Sequence, residues 1–189
     1  KNNAIPREAD AVILIRESDE SLLSKEIGEY DRIFKNELRA TDPGVAVAYE
    51  REEVSVNKVL SKETGKKAIE LLLLIINGVQ TMSGEIEGLV VSSSNLGVVT
   101  TNDESIEFES AVRSSVRSLK DSIVEQSKAI ADLVNAKFIT SADYPEWEYN
   151  PNSKLRDVCE RVYERMYGSK PETVAIHAGL ECGLFKEKM

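Results

Sequence analysis

The sequence predicts an α+β protein of two tandem αβ sandwich units, each an antiparallel sheet with helices on one face, the first unit truncated at its front. Three observations predict it. Across Ser105 to Val134 the apolar period changes from two to that of a helix: Ile106, Phe108 and Val112 alternate with polar residues. Val116, Leu119, Ile123, Ile130, Leu133 and Val134 then fall on one helical face. The same order of extended stretch, apolar strand ending in arginine, long helix and strand occurs twice, from Asn3 through Arg16 and from Asn95 through Arg113. A helix over Ser61 to Ile76 precedes Asn95 and has no counterpart before Asn3.

Taken in order, Asn2 to Pro6 reads as extended, because proline lacks a donor and biases its predecessor away from helix. Ala9 to Ile15 is an apolar run short enough for a strand, closed by Arg16. A helix from about Glu20 to Ala40 carries Leu22, Leu23, Ile27, Ile33, Phe34 and Leu38, and Gly28 weakens it. Thr41-Asp42-Pro43-Gly44 is a turn, and Val45 to Val56 reads as a strand. Ser61 is the N-cap of the next helix, and Asn77-Gly78 its stop. Met82 to Gly88 reads as loop, and Leu89 to Val99 as a strand kinked at Gly97. Asn102-Asp103 makes the turn into the Ile106 strand. Lys137 to Tyr149 is read as a strand followed by the aromatic segment Tyr144 to Tyr149, which includes Trp147. A helix from Ser153 to Tyr167 stops at Gly168, and Thr173 to Ile176 reads as a last buried strand.

With 189 residues, 41% of them hydrophobic, the chain is long enough for one ordinary domain or two small ones. The longest apolar run, Ala68 to Ile76, is broken by Glu70 and is too short to span a membrane. A formal charge of −9 leaves no basic stripe for nucleic acid. Two cysteines, Cys159 and Cys182, do not make a secreted disulfide framework, which favours a reducing compartment. The chain starts at Lys1 without an initiator methionine and is read as a piece of a larger protein.

Few residues carry chemistry by type alone. His177, Glu181 and Cys182 are metal-ligand types in one short stretch, but this is the single histidine and no second cluster completes a site. The serines lack a glycine elbow, and no dinucleotide or P-loop spacing occurs. The loop with Gly179 and Gly183 could offer backbone amides to a carboxylate, or be a plain tight turn. Asn3 and Asn95 could cap turns or donate to a ligand. Arg113, at a strand-to-helix corner, is by periodicity alone a cation in a solvated ion pair. Glu52-Glu53 reads as a solvated face, and Tyr144 and Trp147 as cover for a core edge.

Asn3 to Ala9, Ser93 to Gly97, Val112 to Ser115 and Ile176 to Gly183 together resemble stretches of bacterial aminoacyl-histidine dipeptidases, zinc exopeptidases with a catalytic domain and an inserted lid. The resemblance runs over essentially the whole chain. It implies a lid over residues 1–150, made of two ferredoxin-like units (about 1–57 and 58–150), and a helix and strand over 151–189 returning to the catalytic domain. It implies that Asn3, Arg113 and Gly179 bind the free carboxylate of an Xaa-His dipeptide such as carnosine. The two zinc ions and the general base of the parent enzyme would be held by residues outside this chain, leaving this piece inactive alone with no zinc bound. The implied partners are the dipeptide, the catalytic domain of the same chain and a second copy in a homodimer, all in the cytoplasm. The competing reading is a free-standing αβ dimerisation or interaction module in which Arg113 is only structural.

Overall fold

The hairpin Val90–Ser114 is the frame of the larger of two compact units. The structure, a computed structural model, describes residues 1–52, 58–179 and 182–188. The larger unit comprises Lys1–Glu8 and Lys62–Met189, and the smaller one Ala9–Ser61.

In the larger unit, β1 (Gly78–Met82), β2 (Val90–Thr101) and β3 (Ile106–Ser114) form an antiparallel sheet in the order β1-β2-β3. The β2–β3 register runs from Ser92 opposite Ser114 to Thr101 opposite Ile106, and slips by one residue between Leu96 and Val98. Gly97 is that bulge, where the sequence pattern places a kink. The hairpin closes with Asn102 N–H donating to Ser105 O at 2.8 Å.

At the end of β3 the Ser114 hydroxyl accepts from Val116 N–H at 3.0 Å, and α1 of this unit's helical layer (Arg117–Leu133) begins. This helix packs on β2 and β3, and among the described residues its Ile123 and Ala131, with Val134 just beyond, are the buried hydrophobic ones. Asn135, at φ 56°, takes the left-handed conformation that ends it, and Ala136 N–H returns to Ala131 O. A second helix, α2 (Lys62–Leu74), touches α1, so the unit is an α+β sandwich with an antiparallel sheet, as the patterning predicts. Next comes α3 (Lys154–Tyr167), with Ser153 Oγ accepting from Arg156 N–H at 3.3 Å and Gly168 closing it at φ 73°. A short α4 (Cys182–Lys188) follows.

The smaller unit holds one long helix, α5 (Glu20–Glu37), entered through a 3₁₀ turn over Glu17–Asp19. Leu38 O accepts from both Thr41 and Asp42, making the turn marked by Asp42-Pro43-Gly44. Asp31 then holds the following segment by accepting Val47 N–H at 3.0 Å while pairing with Lys35.

Five sequence readings change. Ala9–Ile15 has no ladder partner among the described residues and leaves Val12, Ile13 and Leu14 exposed, because an apolar run becomes a strand only where another edge pairs with it. The strand over Lys137–Tyr149 and the buried strand over Thr173–Ile176 are likewise not formed, and Val174 and Ile176 are exposed. The described part of the Val45–Val56 strand, up to Glu52, carries no ladder; the rest, Glu53 included, lies outside the described residues. Conversely, β1 lies where the reading has a helix stop and a loop. Its two apolar residues, Val79 and Met82, are too few to announce a strand, and pairing with β2 makes it one.

Candidate functional site

Strand parity decides which side chains meet. Ser92 and Ser94 of β2 share one face of the strand and are buried there, only 1% and 2% exposed. The alternation of a strand therefore turns Ser93 and Asn95 to the sheet's other face. Arg113 lies directly opposite Ser93 in the β2–β3 ladder and shares that face. Among the described residues no carboxylate forms an ion pair with its guanidinium.

Two segments from distant parts of the chain dock on this face. Asn95 Nδ2 donates to Asn2 O at 3.1 Å and to Ala4 O at 2.9 Å, holding the peptide on either side of Asn3. Gly97 makes the approach feasible, since a Cβ there would stand 2.6 Å from Asn2 Cα and 2.7 Å from Asn2 O. From the other end of the unit, His177 Nε2 lies 2.7 Å from Ser93 Oγ. The ring's basicity is lowered, first by burial and then by the charge of Arg113, with a hydrogen bond to the Val90 backbone pulling the other way. A neutral ring accepts the Ser93 hydroxyl proton at Nε2.

Gly179, two residues on, packs against the Tyr144 ring, and a Cβ there would meet that ring at 3.4 Å. Gly183 is tighter still, its missing Cβ falling 2.7 Å from Pro145 O. Gly183 therefore opens α4 as a close-packing residue rather than extending an anion-binding loop. The Tyr144–Glu146 segment is itself pinned to the first turns of α1. Lys120 pairs with Asp143 and Glu146 and donates to Tyr144 O at 2.9 Å, and Arg117 reaches Glu146 at 3.1 Å. Burial disfavours charge on Lys120 and on Glu146. The hydrogen bonds and opposite charges outweigh it, so the ammonium is raised and the carboxylate lowered. The Lys120 hydrogen bond chiefly lowers Asp143.

Arg113, His177 and Gly179 line one cavity of about 1470 Å³. Asn2, not Asn3, lines it as well. The structure thus brings two of the three sequence-predicted binding residues to one space and sets the third, Asn3, in the strap beside it. Ser93 is the residue that sequence reasoning left without a role. Its signal is a run of three serines inside a strand, where the alternation sends one hydroxyl outward and two inward. Glu181 lies outside the described residues. Among the described residues no group of three or more His, Cys, Asp or Glu comes together as a metal site.

No family model matches the chain. It is 35% identical over 186 residues to the cytosol non-specific dipeptidase of Escherichia coli (strain K12), a match covering 98% of this chain and 38% of that protein. The fold superposes on the crystal structure of aminoacylhistidine dipeptidase from Vibrio alginolyticus with a TM-score of 0.79 and 32% identity. That match covers 90% of this chain and 34% of the other. The chain is homologous to a segment of these dipeptidases. It spans a little over a third of the length of either relative.

Proposed function

We propose that this chain is the substrate-clamping lid of a cytoplasmic metallodipeptidase that hydrolyses Xaa-His dipeptides. The observation that carries the reading is Arg113, a guanidinium without a carboxylate partner among the described residues, on a cavity shared with Gly179. A guanidinium grips a carboxylate through two parallel hydrogen bonds, and a glycine permits close backbone approach. Asn3 would add a neutral amide donor from the strap that Asn95 and Gly97 hold on β2. Holding the free C-terminus selects the peptide bond one residue before it and fixes where that carbonyl lies. The two zinc ions implied by the resemblance would be held by residues outside this chain. This chain's own share is to bind the carboxylate and orient the peptide bond beside it. The names of both relatives support dipeptide hydrolysis, and one places its protein in the cytosol.

The test compares wild type and Arg113→Ala in the full-length enzyme carrying this chain, using a free Xaa-His dipeptide. Loss of the clamp is expected to cost about 2–5 kcal/mol of transition-state stabilisation, the range for truncating one partner of a desolvated charge pair. A variant that retains full kcat/KM refutes the clamp.

A further inference from the structure

We propose that Ser93 and His177 form a positioning latch that holds the segment leading to Gly179 against the strand pair bearing Arg113. The inference rests on the clamp reading above and adds two residues to it. Ser93 Oγ and His177 Nε2 are 2.7 Å apart although 84 residues separate them. Ser93 sits opposite Arg113 in the ladder, and Gly179 lies two residues after His177. The Ser93–His177 hydrogen bond therefore links the strand pair that carries the cationic arm of the clamp to the segment that carries its glycine arm. The His177 ring also hydrogen-bonds the Val90 backbone of β2, so it ties the Thr173–Gly179 segment, which carries no ladder among the described residues, to that strand at two points, of which the Ser93 bond is the one between side chains. Without a ladder, such a segment has only its side chains to set its position.

The pair is not arranged as a nucleophile and its base. A general base must become an imidazolium as it takes the hydroxyl proton, and a carboxylate ordinarily stabilises that charge. Here the neighbouring charge is the Arg113 cation, which opposes it. A neutral imidazole beside a cation suits a fixed acceptor. It also leaves the guanidinium uncompensated for an incoming carboxylate.

The experiment measures kcat and KM of the full-length enzyme for a free dipeptide and for the same dipeptide with its C-terminus amidated. Wild type, Ser93→Ala, Ser93→Thr, His177→Gln and the Ser93→Ala/His177→Gln double variant are compared. Ser93→Ala is expected to raise KM for the free dipeptide about tenfold, as for the loss of one well-placed hydrogen bond, with kcat changed less than about threefold. The amide, which lacks the clamped charge, should show no such rise. Ser93→Thr should restore the wild-type KM, and the double variant should be no worse than the poorer single one. If Ser93→Ala leaves KM unchanged, shifts acid and amide alike, or lowers kcat alone, the latch is overturned while the clamp stands. If wild type hydrolyses acid and amide equally well, the clamp itself fails and the latch with it.

Discussion

Replacing Lys120 with methionine leaves a carboxylate stranded. The Glu146 side chain is only 9% exposed and that of Lys120 12%, so each depends on the other for the solvation it gave up. Removing one partner of a fully buried pair costs about 3–5 kcal/mol. Arg117 remains 3.1 Å from Glu146, although its own side chain is half exposed, and so recovers part of that. The expected loss for Lys120→Met is therefore about 2–3 kcal/mol. In urea this is a fall in midpoint of about 1–2 M if m is near 1.5–2 kcal/mol/M. Lys120→Met combined with Glu146→Leu removes both charges and should regain most of the loss, coming within about 1 kcal/mol of wild type. A single variant within about 0.5 kcal/mol of wild type, or a double variant that only sums the two singles, refutes the reasoning. The consequence for the site is direct, since Lys120 holds the backbone of Tyr144, on whose ring Gly179 packs.

The same cluster sets an acid response. Asp143 and Glu146 are held below their ordinary range, so the unfolded chain takes up their protons first as pH falls. Their contribution is complete above the ordinary carboxylate pKa and is lost as pH drops through the lowered values. Lys120 is raised, so its contribution is lost only at strongly alkaline pH. Denaturation of wild type and Lys120→Met across the acid range should show a smaller pH slope in the variant, and parallel slopes would contradict the assignment. In the core, Ile123→Ala at a 4% exposed position should cost about 2–4 kcal/mol by equilibrium denaturation, and a loss below about 1 kcal/mol would place Ile123 outside the packing that joins helix to sheet.

What was legible followed locality. The Ile106 strand, its corner at Arg113 and the helix beyond are written in a period change that needs no distant partner. The helix read from Ser153 to Tyr167 forms over Lys154–Tyr167, its stop at Gly168 acts as read, and Ser153 caps its start. Gly97 marked its bulge because a glycine inside a strand has few other uses. The failures lie where pairing is decided at a distance. Ala9–Ile15 and Thr173–Ile176 have strand composition and no ladder among the described residues, whereas Gly78–Met82 has little strand composition and pairs with β2 through a ladder with two irregular steps. The site follows the same rule. Arg113 and Gly179 are candidates that the resemblance proposes from sequence, whereas the Ser93–His177 contact had no signal there. The partner of Ser93 is 84 residues away, and only the register shows that Ser93 stands opposite Arg113.

The absent side chain at Gly97 makes positions 97 and 2–4 inherit as one character. With the Asn2 backbone seated where a Cβ would go, alanine at 97 is incompatible with the seated strap, whatever it does for the strand by itself. In a lineage that has lost or displaced the strap, the same alanine would be harmless and even favourable for β2. Whether a given change at 97 is deleterious thus depends on the state of residues more than ninety positions away. A survey of substitutions one at a time would record Gly97 as intolerant without revealing that the constraint belongs to its visitor.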